Sequence, residues 1–210
     1  MTEPTKGAST SSRPRGRPPT GARDALVRAM RELLLERDFD DIATEDVLAR
    51  AGVSRGAMYH HFASKVELFK AAYEASEQDA LQRLGESAAQ AAADSGPFDF
   101  LVAGCLAYVR ACAQPGELQR IGLRQSRAVL GWEGWRKAAD PLGIGLIRAT
   151  VQAAVDAGEL ASDDVATTAH LLLAMLVEAS LIAAADPEPE RALARLEPEI
   201  IRMLEGLRRR

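Results

Sequence analysis

Cysteine and histidine are scarce in this 210-residue chain, which has two cysteines and three histidines. Cys105 and Cys112 lie seven residues apart, so on a helix they share a face but stand too far apart along its axis to form a disulfide. We therefore expect two buried free thiols in a protein of the reducing cytoplasm, with redox sensing as the alternative.

The few histidines also restrict the chemistry that the chain can perform. An enzyme needs a convergent nucleophile, base and orienting group, or a set of metal ligands. His60 and His61 are neighbours in one short segment, which leaves His170, and no Cys and His cluster has metal-ligand spacing. We expect no enzymatic activity, no metal site and no cofactor; a carboxylate in contact with His170 would argue otherwise.

Long apolar runs are missing as well. The most apolar stretch, residues 171–185, is shorter than the roughly 20 residues of a membrane span and is interrupted by Glu178 and Ser180. The N-terminus is polar and lacks the apolar centre of a signal peptide. We expect a cytoplasmic protein in which this stretch is a core or interface helix.

The residues that are abundant favour helices. Ala, Leu, Arg and Glu dominate, and aromatic residues make up only 5% of the chain, so we predict an all-α fold. The net charge is −4, but residues 1–70 carry 12 Lys and Arg against 10 Asp and Glu. The N-terminal part is thus slightly basic and the rest acidic.

Breaks in the hydrophobic pattern divide the chain into three parts. Residues 1–19 contain Ser, Pro, Gly and Arg with few apolar side chains and predict a flexible arm. Apolar residues then recur at three-and-four spacing from Thr20 to about Arg37, as in an amphipathic helix. We predict a first domain at 20–80 and a second helical domain at 81–210.

The segment 43–62 predicts two short helices joined by a tight turn. Thr44 precedes Glu45 and Asp46 as an N-cap would, and Gly52 stands where a helix end favours positive φ. Ser54 can cap a further helix at 55–61. Two short helices with a Gly-Val-Ser turn form a helix-turn-helix, whose second helix enters the DNA major groove by its N-terminal residues.

The second helix carries side chains suited to reading DNA. Arg55 can bind guanine in bidentate fashion, Gly56 permits close backbone approach and Ala57 can touch a thymine methyl. His60 lies one turn further on. The side chains expected to contact phosphates are those of Thr44, Ser54, Tyr59 and Lys65.

The segment from Thr44 to Phe69 resembles the DNA-binding core of the TetR family, the tetracycline-repressor-like regulators. Gly-Val-Ser, Tyr-x-His-Phe and Ser-Lys-x-x-Leu occur in that family's order and spacing. The resemblance implies a three-helix DNA-binding domain, a C-terminal helical domain for ligand binding and dimerisation, and a homodimer that a small molecule releases from an operator. It favours repression and leaves the operator and the ligand open.

The arm contains a second DNA-binding signal. Its segment 13–19, Arg-Pro-Arg-Gly-Arg-Pro-Pro, resembles an AT-hook core, in which Arg15 and Arg17 would enter the narrow minor groove of A/T-rich DNA. The alternative is a basic tail that contacts phosphates anywhere.

The C-terminal part offers candidates for a ligand pocket and for a dimer interface. A pocket could be lined by Leu101, Cys105, Tyr108, Arg124, Trp132 and Trp135, although core packing predicts the same pattern. Glu178, inside an apolar helix, either crosses a dimer interface or meets a ligand. The apolar residues expected at the dimer interface are Leu172, Leu176, Leu181, Leu193, Leu196, Ile200, Leu204 and Leu207.

A protein-binding adaptor is the competing class of function. In that case the N-terminal motif would bind a protein surface rather than DNA. The basic arm and the forward-facing Arg55 favour DNA, and a duplex-binding assay at modest salt discriminates between the two.

Overall fold

A computed structural model describes residues 21–92 and 94–209. The predicted arm, with Arg15 and Arg17, lies outside the described residues. Within them the chain forms helices and no strand, and the all-α prediction is confirmed. The α-helices are α1 Ala22–Glu36, α2 Thr44–Ala51, α3 Arg55–His61, α4 Lys65–Ala91, α5 Pro97–Ala113, α6 Ser126–Ala139, α7 Gly145–Asp156, α8 Val165–Ala185 and α9 Pro189–Glu205.

Three shorter segments connect these helices. A 3₁₀ turn at Phe39–Asp41 joins α1 to α2. Two π-helical segments, Leu118–Gln125 and Asp140–Ile144, flank α6 on either side. Since π-helical turns are rare and concentrate at functional sites, the first of them is of particular interest.

The N-terminal helices form a three-helix unit around one core. The apolar face of α1 packs on α2 and α4, and the 3₁₀ turn adds Phe39, whose ring lies edge-on to that of Phe69 at 5.2 Å. Val47 of α2 and Met58 of α3 are fully buried in the same core. The predicted N-cap of α2 needs correcting: the cap is Ala43, whose N–H donates to Asp46 Oδ2 at 3.0 Å, and Thr44 is the first helical residue.

The C-terminal helices enclose a second core. α5 packs against α7, α8 and α9, and the side chains between them are mainly Leu, Val, Ile and Ala. α4 belongs to both units, because its first turns contribute Leu68 and Phe69 to the N-terminal core and its later turns pack on α5. One continuous helix therefore connects the two parts of the molecule.

Side chains of the first π-helical segment cap the end of α1. The last carbonyl groups of an α-helix have no partner within the helix. The carbonyl oxygen of Leu34 accepts from Arg120 Nε at 2.6 Å and from Gln125 Nε2 at 3.3 Å. Gln125 Oε1 also accepts the buried N–H of Phe39 at 2.9 Å. The end of α1 is thus held by residues about 90 positions later in the chain.

α8 differs from its sequence-based description. It has 21 residues with a mean hydropathy of 1.8, so by length and composition it is long enough to cross a membrane. The estimate from residues 171–185 was too short because the helix begins at Val165. Its buried residues, including Leu172, Leu176 and Ala183, pack inside the helical core.

The predicted dimer interface needs correcting on α8 and α9. Leu172, Leu176, Leu193, Ile200 and Leu204 are each at most 6% exposed, because they pack in the C-terminal core of the single chain. Leu181, Leu196 and Leu207 are half-buried against those cores. Three-and-four spacing marked the inner face correctly as apolar, but it did not reveal whether the helix from the same chain or one from a partner covers that face.

We predict that Gln125→Leu lowers the free energy of unfolding by about 1–3 kcal/mol, because it leaves the buried N–H of Phe39 without an acceptor. Urea unfolding measures this. The control is Gln82→Leu on the exposed face of α4, which we expect to stay within about 0.5 kcal/mol of the parent. A Gln125→Leu protein as stable as the parent would contradict this role.

Candidate DNA-binding surface and ligand cavity

The helix-turn-helix exposes one side of α3. Gly52 ends α2 with φ 65°, and Ser54 Oγ accepts the N–H of Ala57 at 3.2 Å as the N-cap of α3. Side chains four residues apart share a helix face, so Arg55 lies with Tyr59 and Gly56 with His60. All four are exposed.

The residues predicted to read the bases differ in their solvent exposure. Arg55 is exposed and forms an ion pair with Glu45 of α2. An exposed pair of this kind is weak, so Arg55 can exchange the carboxylate for a base edge at little cost. Gly56 has open space in front of its Cα. Ala57 is half-buried.

Lys65, a predicted phosphate contact, forms hydrogen bonds within the chain itself. Its Nζ donates to the carbonyl oxygens of Phe39 and Ile42, each at 2.8 Å, and lies 4.0 Å from the centre of the Phe39 ring. The ammonium group thus stabilises the segment that connects α1 to α2. The sequence could not reveal this, because the two carbonyl groups lie more than 20 positions earlier in the chain.

We predict that Lys65→Met lowers the free energy of unfolding by about 1–3 kcal/mol and leaves the salt dependence of DNA binding unchanged. A true phosphate contact would reduce the slope of log affinity against log salt by about 1. Binding titrations at several salt concentrations distinguish the two. Lys70→Met is the control, since Lys70 is exposed and its ion pair with Glu74, at 3.6 Å, lies on the surface.

A cavity of about 80 Å³ lies in the C-terminal part, between α4, α5, α6, α7, α8 and the first π-helical segment. The structure places four of the predicted pocket residues in its wall: Leu101, Cys105, Tyr108 and Trp135. The other two lie elsewhere. Trp132 is 63% exposed, and Arg124 is on the surface, where it donates to the Ala184 carbonyl oxygen at 3.3 Å.

The cavity wall also contains polar residues that the pocket prediction missed. Tyr73 and Glu77 enter it from α4, and Arg127 enters from α6 with its guanidinium 4.5 Å from the centre of the Trp135 ring. Glu77 is 7% exposed, and burial raises its pKa to about 7. The available signal was an acidic residue four positions after Tyr73 on an otherwise apolar helix face.

The cysteines and histidines take part in no recognisable catalytic group. Cys105 and Cys112 are buried free thiols, as predicted, and burial raises the pKa of each to about 12, which disfavours the reactive thiolate. His170 Nδ1 lies 2.8 Å from the carbonyl oxygen of Ala166. Across residues 21–92 and 94–209, no three potential metal ligands come together.

Two family models match the chain. The model described as "Bacterial regulatory proteins, tetR family" matches residues 26–72, which include the helix-turn-helix. The model described as "Tetracyclin repressor-like, C-terminal domain" matches residues 98–207, more than half of the chain. Together they cover the two units that the cores define.

Individual proteins show the same similarity. HTH-type transcriptional regulator AlkX of Mycobacterium tuberculosis is 46% identical over 43 residues, an alignment that spans 20% of each protein. A TetR-family regulator from Pectobacterium atrosepticum has 28% identity and a TM-score of 0.71, covering 89% of this chain and 93% of its own. A TetR-family regulator from a Rhodococcus species, at 20% identity, shares the fold with a TM-score of 0.67 over 88% and 99% of the two chains.

Proposed function

The chain belongs to the TetR family of DNA-binding transcriptional regulators, which are not enzymes, and on that premise we propose a homodimeric repressor that a small molecule releases from its operator. The repressor would act in the cytoplasm on an inverted-repeat operator. The observation that carries the ligand response is the double role of the first π-helical segment. It forms part of the cavity wall and also caps α1 of the DNA-binding unit.

The coupling between cavity and DNA-binding unit follows from these contacts. Gly122 and Leu123 line the cavity, and Arg120 and Gln125 on either side of them hold the end of α1. A second link is the ion pair of Arg31 on α1 with Glu117 at 2.6 Å. A ligand that displaces the segment would tilt α1 and with it α3, because packed interiors transmit displacement rather than absorb it.

DNA recognition is proposed to rest on the exposed side of α3. Arg55 would read a guanine, Gly56, Ala57 and His60 would lie in the major groove, and Ser54 and Tyr59 would contact phosphates. Thr44, half-buried in the first turn of α2, remains a proposed phosphate contact. The arm, through Arg15 and Arg17, would add contacts in an adjacent minor groove.

We expect Arg55→Ala to cost about 1–3 kcal/mol of operator binding per half-site and to relax the preference for one guanine. Competition binding against operator variants and unrelated duplexes measures this. Arg50→Ala is the matched control, because Arg50 is exposed on α2 and paired with Glu32 and Glu36. An equal loss on every duplex would make Arg55 a phosphate contact instead.

The proposed dimer interface is formed by exposed surfaces of α8 and α9. Leu171, 67% exposed, and Ile182, 46% exposed, lie on one face of α8, and Ile201, 37% exposed, and Met203, 61% exposed, flank the buried face of α9 on its two sides. Glu178 is exposed on the same face of α8 and outside the cavity wall, which favours its proposed role at the interface. Two copies joined there would form a four-helix contact and hold their α3 helices about 34 Å apart, one DNA turn.

Met203→Glu should yield folded monomers that lose specific operator binding, because one half-site supplies too little energy. Sedimentation at micromolar concentration and circular dichroism measure association and helix content. Leu35→Glu is the control, an apolar residue 41% exposed on α1, and we expect it to stay dimeric. Leu204 is unsuitable, since it is fully buried and a charge there would unfold the chain. A parent protein that sediments as a monomer would overturn the interface.

A further inference from the structure

Glu77 is the one buried acidic side chain among the described residues, and it faces the cavity. In the described part of the chain no hydrogen bond or ion pair satisfies its carboxyl group. Gly122 of the first π-helical segment lies directly against it, and a Cβ at that position would collide with Glu77 Oε1. Since a buried, unpaired carboxylate is costly, this carboxyl group is suited to pair with a polar group of a molecule that enters the cavity.

The charged and titratable groups around Glu77 do not supply a partner for it. Tyr73 on α4 and Tyr108 on α5 face it, as does the Cys112 thiol, and burial raises the pKa of each so that they are neutral. Arg127 on α6 lines the same cavity but forms no ion pair with Glu77 among the described contacts. Its guanidinium lies over the face of Trp135, and its Nε is buried without a hydrogen-bond partner among the described residues.

The cavity is rich in aromatic side chains compared with the rest of the molecule. The chain has ten aromatic residues, and four line this one cavity: Tyr73, Phe100, Tyr108 and Trp135. The faces of aromatic rings carry negative electrostatic potential and attract cations, most strongly where water is excluded. A carboxylate among such rings is therefore suited to a positively charged group on an apolar body.

We infer that the cavity binds a compact organic cation, a protonated amine on a body of about one ring, with its ammonium group against Glu77. This assignment names the effector class of the proposed ligand-responsive regulator and rests on that proposal. The volume of about 80 Å³ is about half that of an engineered cavity of roughly 150 Å³ that takes benzene, so the walls must move outward to admit a body of one ring, and small ligands are favoured.

The assignment predicts a characteristic dependence on pH. The cation binds the ionised form of Glu77, whose pKa without ligand is about 7. Affinity should therefore rise as pH increases through 7 and should fall about tenfold between roughly pH 8 and pH 6, because the ionised fraction falls by that factor. A simple alkylamine stays protonated throughout that range.

The test uses Trp135 as the reporter. In a full-length Trp132→Phe protein, Trp135 is the sole tryptophan, and Trp132 lies outside the cavity. Three probes of similar size, benzylamine, benzyl alcohol and benzoate, are titrated by fluorescence and calorimetry. We expect benzylamine to bind tightest, with the pH dependence given above.

The matched variants separate charge from shape. Glu77→Gln keeps the size of the side chain and should weaken benzylamine at least tenfold at about pH 8, with little effect on benzyl alcohol. Glu74→Gln changes a more exposed carboxylate on the same helix and should change neither. The pH titration of the unsubstituted Glu77 protein requires no variant at this position, so a folding defect in Glu77→Gln leaves the test intact.

Other outcomes would overturn either this assignment or the proposed release. Equal or tighter binding of benzoate or benzyl alcohol, or benzylamine affinity that does not change with pH, would overturn the cation assignment. Benzylamine that binds through Glu77 yet leaves operator affinity unchanged would support the ligand class and contradict ligand-driven release. An uncharged molecule that releases DNA independently of Glu77 would support ligand-driven release and contradict the cation assignment.

Discussion

The capping of α1 by the first π-helical segment is the contact on which the arrangement of the molecule depends. A helix end buried against another domain needs partners for its last carbonyl groups. Arg120 and Gln125 supply them at Leu34, and Gln125 also takes the N–H of Phe39. Because these bonds are partly or fully buried, their loss would cost more than an exposed contact, and the DNA-binding unit has a fixed position relative to the cavity.

The same segment forms part of the wall beside the buried carboxylate. Gly122 leaves room for Glu77, and three positions further on Gln125 fastens α1. Glu77 itself lies on α4, the helix shared by both cores. A change of charge or volume at this one point therefore reaches the DNA-binding unit along two routes, the π-helical segment and α4. That proximity is the physical basis of the proposed ligand response.

The DNA-binding unit was largely predictable because its signals are local. Gly52 with positive φ and the caps at Ser54 and Ser64 act within three or four residues, so the bounds of α3 follow from the sequence alone. The C-terminal part was predictable as helical but not in detail. Trp132 and Trp135, three residues apart, looked equivalent, yet one lies on the surface and the other lines the cavity.

The sequence by itself determined the all-α class, the helix-turn-helix and the family, since these rest on periodicity, capping and a short ordered motif. Only the tertiary structure decided which neighbour covers each apolar face and which polar group is paired. In the folded chain Leu204 is buried and Lys65 donates to two carbonyl oxygens. Glu77 faces the cavity and has no hydrogen-bond partner among the described residues. The physical reason is that burial and pairing depend on residues far apart in the chain, whereas helix formation depends on residues within one or two turns.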